Sequence, residues 1–139
     1  MATIDMQTMR YINILARVSG VRARKCFVYN GTIYFAVEPR FISQALGPGG
    51  RNIRIISEQL EKRVRIIKDV SDSIRDVQRF VESIVSPVDF ISLEFREGMY
   101  ILTAGSRTRA ATLIGRNKVR LEELNKILED YFGKGLKIV

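Results

Sequence analysis

A glycine-rich segment, Leu46–Ile53, combines residue types that together bind phosphate. Its sequence is Leu-Gly-Pro-Gly-Gly-Arg-Asn-Ile. The three glycines lack Cβ atoms, so a phosphodiester backbone can approach their amides closely and the chain can adopt left-handed backbone angles. Pro48 stiffens the segment, and Arg51 and Arg54 add fixed positive charge beside it. The predicted phosphate-binding residues are Gly47, Pro48, Gly49, Gly50, Arg51 and Arg54.

Apolar, helix-compatible sequence lies on both sides of these glycines, at Phe41–Leu46 and Ile53–Leu60. The segment is therefore expected to join two helices, the second of which directs its amino terminus and the positive end of its dipole toward an anion. A simpler interpretation is a helix-turn-helix corner whose glycines only permit a tight turn. A short glycine motif alone does not separate these two interpretations.

The composition restricts the classes of protein to which this chain can belong. The 139 residues are 46% hydrophobic and 27% charged, a globular mixture long enough for one medium domain or two small ones. No apolar run approaches the roughly 20 residues that span a bilayer, and the first residues lack the pattern of a signal peptide. We therefore expect a cytoplasmic protein with no membrane partner. With no histidine and a single cysteine, Cys26, neither an internal disulfide nor a Cys/His zinc site can form, and no metal or other cofactor is expected.

The net charge of +8 is unevenly distributed. Residues 1–68 hold 12 Lys/Arg and 4 Asp/Glu, whereas residues 69–139 hold 11 of each class, so the whole excess lies in the half that contains the glycines. Such asymmetry predicts a polyanionic partner for the first half. A surface laced with ion pairs, as in proteins of thermophiles, explains many charges but not an excess in one half.

The first half has the order helix, strand, strand, helix, helix, strand. Asp5 can cap the first helix and Gly20 can end it. Asn30-Gly31 favours a two-residue hairpin turn with two positive φ angles. The predicted helices are residues 5–18, 39–46 and 51–62, and the predicted strands are residues 26–29, 32–37 and 64–67.

The second half repeats this order. A helix capped by Ser71 or Ser73 is followed by a strand in which Ile91, Leu93 and Phe95 alternate with polar residues, which predicts one buried face. The hairpin glycines and the loop glycines of the two halves are 67 and 68 residues apart, so one unit is present twice. The remaining predicted elements are a strand at 99–103, helices at 108–114 and 119–132, and a strand at 136–139.

The duplicated order and the Gly47-Pro48-Gly49-Gly50 loop between two helices resemble tandem KH domains of the second topological type, and the whole sequence is similar to the archaeal NusA-like transcription factors. The resemblance implies an α+β fold with KH domains at residues 1–68 and 69–139, each a three-stranded mixed sheet with helices on one face. Bacterial relatives add an amino-terminal polymerase-binding region and an S1 domain, and we expect neither here.

The resemblance also implies a function: binding of single-stranded RNA, the nascent transcript, during transcription elongation, termination or antitermination. RNA polymerase is then an expected partner, and we expect a monomer. A KH loop clamps the backbone of about four nucleotides while the bases lie in an adjoining groove. Ile53, Ile56 and Ile66 are candidates for the wall of that groove, although each also fits an ordinary core. Weaker candidates to extend the basic surface are Arg63, Arg65 and Lys68.

The second loop departs from the first. Gly115 keeps the leading glycine, but Lys118 stands where the closing glycine would be. Another alignment pairs residues 119–121 with residues 53–55 and makes this loop two residues shorter. Either alignment weakens close backbone approach, so the second unit can extend the binding surface, orient the first unit or dock a protein. The predicted contacts of this loop are Gly115, Arg116, Asn117 and Lys118, with Arg120 as a further cation beside Glu122 and Glu123.

The residues bear on three classes of function. Catalysis is not expected, because the chain has no histidine, no Gly-Lys-Ser/Thr after the glycines and no obvious cluster of carboxylates. An RNA-binding module explains the loop, the charge and the duplication. A ribosomal or ribosome-assembly protein with the same fold is the alternative, since a fold does not determine a function.

Overall fold

The structure, a computed structural model, describes residues 5–139. Residues 1–4, which the predicted first domain includes, lie outside the described residues. The described chain divides into two compact units, residues 5–69 and residues 70–139. Each unit has the order helix, strand, strand, helix, helix, strand around a three-stranded sheet. The α+β class and the two mixed sheets predicted from the sequence are therefore confirmed.

The first unit begins with a helix whose two ends are set by the expected residues. The Asp5 side chain accepts a hydrogen bond from the Thr8 amide (2.7 Å), and Gly20 ends the helix with a φ of 77°. The third helix ends at Leu60, two residues earlier than predicted, because Glu61 turns into a left-handed conformation. The helices of this unit are α1 (Met6–Ser19), α2 (Ile42–Leu46, preceded by a 3-10 turn at Pro39–Phe41) and α3 (Arg51–Leu60). Its strands are β1 (Lys25–Tyr29), β2 (Thr32–Val37) and β3 (Arg63–Lys68).

The central strand of this sheet is β2, which pairs antiparallel with β1 and parallel with β3. The β1–β2 hairpin turns at Asn30 and Gly31, whose φ angles of 50° and 75° are both positive, as the two-residue turn requires. Alternate β2 residues, Ile33, Phe35 and Val37, join one apolar cluster with buried residues of the helices, so the helices cover this face of the sheet. Other members of the cluster are Tyr11, Ile12, Leu15, Cys26, Ala45, Ile56 and Val64.

The second unit has helices α4 (Ile74–Val85), α5 (Arg107–Ile114) and α6 (Val119–Phe132) and strands β4 (Ser92–Arg96), β5 (Met99–Thr103) and β6 (Leu136–Ile138). The strand β5 is central, antiparallel to β4 and parallel to β6. Ser73 caps α4 by accepting a hydrogen bond from the Asp76 amide, while the Ser71 hydroxyl donates to the Asp76 carboxylate. Of the two serines predicted as caps, Ser73 is therefore the one that caps the backbone.

The predicted buried face of β4 is correct only at Leu93, which is 3% exposed. Ile91 lies before the strand and is 63% exposed, and Phe95 is 44% exposed. Phe95 packs its edge against Tyr100, and the Lys134 Nζ atom lies 5.3 Å from its ring centroid. Alternation predicts which face of a strand a residue occupies, but it does not predict how far the covering helices extend along that strand.

Candidate nucleic-acid interface

The glycine loop joins α2 to α3 through a single 3-10 turn, Pro48–Gly50. Gly47 adopts φ 76° and ψ 171°, and Gly49 and Gly50 adopt left-handed angles with φ of 60° and 76°. The Gly50 amide donates to the Gly47 carbonyl (3.0 Å) and closes the turn. The predicted helix–loop–helix arrangement is therefore present, with the last glycine forming the N-cap of α3.

The three glycines are required for different reasons. A Cβ atom on Gly47 would lie 2.7 Å from the Cγ atom of Asn52, and the backbone angles of Gly47 belong to a region that is essentially restricted to glycine. A Cβ atom on Gly49 or Gly50 would meet nothing within 4 Å. Packing within the protein therefore explains Gly47, whereas the space above Gly49 and Gly50 is open and can admit a ligand.

Two side chains of α3 form hydrogen bonds that hold this loop in place. The Asn52 Nδ2 atom donates to the Gln44 carbonyl (3.1 Å), and the Arg54 Nη1 atom donates to the Gly49 carbonyl (2.7 Å). Arg54, predicted as a phosphate ligand, is thus also a contact that fixes the loop. The sequence did not single out Asn52, because nothing local shows that its side chain folds back on Gly47.

The amino terminus of α3 is suited to an anion. No side chain caps it, and its first turn contains no acidic residue. Arg51 and Arg54 are exposed, and Arg51 forms no ion pair within residues 5–139. The dipole of α3 and the charge of these two arginines therefore both favour an anion at the bare surface of Gly49 and Gly50.

The second loop has the same backbone as the first. Gly115 adopts φ 77° and ψ 170°, and Asn117 and Lys118 adopt left-handed angles with φ of 56° and 63°. Residues 115–118 thus correspond one for one to residues 47–50, and Val119 begins α6 as Arg51 begins α3. The alternative alignment, with a loop shorter by two residues, is wrong, because α6 begins directly after the 3-10 turn.

The chemistry of the second loop nevertheless differs. Asn117 and Lys118 place side chains at the positions that are bare in the first loop, and Glu122, in the first turn of α6, stands where α3 has Arg54. Arg120, a further cation predicted here, forms an ion pair with Glu123 (2.6 Å) and is only 25% exposed. The exposed cations of this loop are Arg116 and Lys118, and an acid already occupies the first turn of its helix.

The candidates for a groove wall separate into two groups. Ile56 is fully buried in the core and presents no surface to a ligand. Ile53 and Ile66 are half-buried and pack against the edge of the same core. Arg63 and Arg65 are exposed on β3, but they alternate with the core residue Val64 and so belong to the sheet face opposite the helices.

Several other cations of the first unit are already paired. Arg24 and Arg40 both contact Glu38, and the hydrogen bond from Arg24 holds the pKa of the Glu38 carboxyl below its usual value. Lys25 forms an ion pair with Asp69, in which both side chains are largely buried. These pairs neutralise part of the excess charge of the first unit and leave Arg51 and Arg54 beside the loop.

Two further features of residues 5–139 bear on function. No helix in this part of the chain is both long and apolar enough to cross a membrane. Within the same residues, no group of three His, Cys, Asp or Glu side chains is placed to hold a metal ion.

The chain is similar to known proteins in both sequence and structure. One is named probable transcription termination protein NusA, from Halococcus morrhuae; it is 25% identical over 132 residues, which cover 94% of this chain and 92% of the relative. Another is the crystal structure of APE1850, which is 25% identical with a TM-score of 0.67 and covers 98% of this chain and all of that one. No model of a known protein family matches the chain. The likeness thus extends over both units.

Proposed function

We propose that this protein is a NusA-like, KH-type RNA-binding factor that acts in transcription, and that it holds the backbone of single-stranded RNA at the loop of residues 47–50. The observation that carries this proposal is the bare, open surface of Gly49 and Gly50 at the uncapped amino terminus of α3. A phosphate can approach this backbone closely, and the adjacent arginines make the approach favourable.

The second loop supports the assignment by contrast. Its backbone has the same conformation, yet Asn117 and Lys118 cover the corresponding positions and Glu122 places a negative charge in the first turn of α6. A carboxylate there competes with an external anion for the same helix dipole. The first loop is therefore the principal phosphate site, and Gly115, Arg116, Asn117 and Lys118 form a secondary surface that acts through side chains.

The role in transcription rests on the relative named as a probable transcription termination protein, whose likeness covers both units of this chain. On this proposal the RNA is a nascent transcript, RNA polymerase is a partner, and the protein acts as a cytoplasmic monomer during elongation, termination or antitermination. It works by binding and not by catalysis, without a metal or cofactor.

The test is a titration of single-stranded RNA at several salt concentrations. For single strands, log affinity falls with log salt by about 0.7 for each phosphate neutralised. Arg51→Ala should reduce affinity and flatten the slope by about that amount, because the Arg51 side chain contributes charge but no hydrogen bond to the loop. Arg54→Ala is less informative, since it also removes the contact with the Gly49 carbonyl.

Arg75→Ala is the matched control, because Arg75 is also an exposed arginine in the first turn of its helix but lies in the second unit. It removes the same charge and should leave the slope unchanged. An equal change in both variants would mean that the protein attracts RNA only through its overall charge. A salt-independent affinity in the parent protein would show that RNA does not bind through its phosphates.

Sequencing the RNA that crosslinks to the protein in cells separates the two cellular roles. Leader or terminator transcripts support the role in transcription, and mature ribosomal RNA supports the ribosomal alternative.

A further inference from the structure

The side chain of Asn52 lies directly beneath the leading glycine of the first loop. The distances from an ideal Cβ position on Gly47 to the Cγ, Nδ2 and Oδ1 atoms of Asn52 are 2.7, 2.8 and 3.0 Å. The amide group of Asn52 thus fills the space that a side chain on Gly47 would need. The two residues are complementary: the glycine leaves a space, and the asparagine occupies it.

The same amide group connects the loop to the helix before it. Asn52 Nδ2 donates to the main-chain carbonyl of Gln44 in α2, and Gln44 Nε2 donates in turn to the carbonyl of Ser19 at the end of α1 (both 3.1 Å). The first bond links α3 to α2 at the loop, and the second is a separate bond that links α2 to α1. Since Asn52 is uncharged and half-buried, it contributes to the position of the loop and not to its charge.

The second unit uses the same position differently. Arg120 corresponds to Asn52, and its Cγ atom lies 2.7 Å from an ideal Cβ position on Gly115. Its guanidinium pairs with Glu123 on the next turn of α6. In the first unit, the residue beneath the leading glycine bonds across the loop to the preceding helix; in the second, it forms an ion pair within its own helix.

We infer that Asn52 is a positioning residue for RNA binding: by linking α3 to the α2 carbonyl beneath Gly47, it fixes the loop backbone in the conformation that receives the phosphodiester. This inference rests on the proposed function of the loop. A loop that is already ordered loses less conformational entropy when it binds, so its affinity is higher for the same contacts.

The first measurement is RNA affinity in Asn52→Leu. Leucine is similar in size and favours helix more than asparagine does, but it cannot donate the hydrogen bond. We expect affinity to fall about 3- to 10-fold, the effect of losing one ordinary hydrogen bond. The slope of log affinity against log salt should not change, because no cation is removed. A flattened slope would show that the substitution had altered the phosphate contacts themselves and would overturn a role in positioning.

Hydrogen exchange provides the readout that separates positioning from general stability. In Asn52→Leu the amides of residues 47 and 49–51 should exchange faster while those of β2 stay protected, since only the local link is lost. Gln44→Leu is the matched control: it removes the bond to Ser19 but keeps the carbonyl that accepts from Asn52, so affinity and loop exchange should stay within about twofold of the parent.

Besides a flattened slope, three results would overturn the inference: unchanged loop exchange in Asn52→Leu, equal acceleration throughout the unit, or an equal effect of Gln44→Leu. Failure of the proposed function gives a different pattern, in which the parent protein binds no RNA at any salt concentration. Faster exchange confined to the loop of Asn52→Leu would in that case still support Asn52 as the residue that fixes the loop.

Discussion

Exchanging the residues at the two left-handed positions of each loop tests most directly whether bare glycines admit the phosphate. Gly49→Asn with Gly50→Lys gives these two positions of the first loop the side chains of the second, and Asn117→Gly with Lys118→Gly makes the reverse change, while Pro48 and Arg116 stay as they are. The two backbones agree within about 15° at these positions, as in φ of 76° at Gly50 and 63° at Lys118. Both exchanges should therefore be accommodated without rearrangement of the loop.

The effect on stability follows from the left-handed angles. An ordinary residue in this conformation costs roughly 1–2 kcal/mol, and asparagine costs less. The variant of the first loop should thus lose about 2 kcal/mol of unfolding free energy, a fall of about 10 °C in Tm for a unit of this size. The reverse variant should be about as stable as the parent or slightly more stable. Neither exchange introduces a clash, because nothing lies within 4 Å of a Cβ atom on Gly49 or Gly50.

The effect on RNA affinity separates close approach from simple charge. Gly50→Lys adds a positive charge, so attraction by overall charge predicts tighter binding. Close approach predicts weaker binding, because the new side chains cover the bare backbone at Gly49 and Gly50. The loss of one charged hydrogen bond, about 1.5–3 kcal/mol, corresponds to about 10- to 100-fold. The reverse variant should change affinity less than about threefold, because Glu122 still opposes an anion at α6.

The assay is titration of a short fluorescent RNA at one fixed salt concentration and at a temperature well below the Tm of the less stable variant. Thermal melting is the control for folding. Tighter binding in the Gly49→Asn, Gly50→Lys variant would refute the argument that bare glycines admit the phosphate. Equal losses in both variants would mean that the two loops bind RNA equally well despite their different side chains.

Three further outcomes are expected. Gly47→Ala should lower the free energy of unfolding by about 3 kcal/mol, because its Cβ atom would lie 2.7 Å from Asn52 and its backbone angles suit only glycine. Gly49→Ala should lower it by only about 1 kcal/mol. Equal losses in thermal unfolding would contradict the role of packing at Gly47. Glu122→Gln should raise RNA affinity about 2- to 5-fold by removing a charge that opposes an anion, and an unchanged titration would place the RNA away from α6. Burial, with a smaller effect of Asp5, raises the pKa of the Cys26 thiol to about 12, so iodoacetamide at pH 8 should alkylate only the unfolded protein. The stability linked to this thiol should be fully present below about pH 9 and lost as the pH rises toward about 12, which denaturant titrations across that range would measure.

The sequence by itself determined the order of the elements and most of their ends. Asn30-Gly31 specified a hairpin turn and Asp5 a helix cap, because each depends on residues within a few positions along the chain. It also determined the excess charge of the first half and the duplication of one unit, which are properties of composition and spacing. The glycine loop could be identified for the same reason, since its conformation follows from local residue types.

Only the tertiary structure decided how the loop residues divide their roles. Asn52 reaches Gln44 across the loop, Arg54 bonds to the Gly49 carbonyl, and Arg120 is paired with Glu123. The exposure of Phe95 likewise depends on which side chains pack over β4 in the folded unit. Each of these facts depends on which side chains meet once helices and strands have packed, and many sequences with the same local pattern can pack differently. Local rules therefore predicted the loop, and packing determined which of its residues stay exposed and which hold it in place.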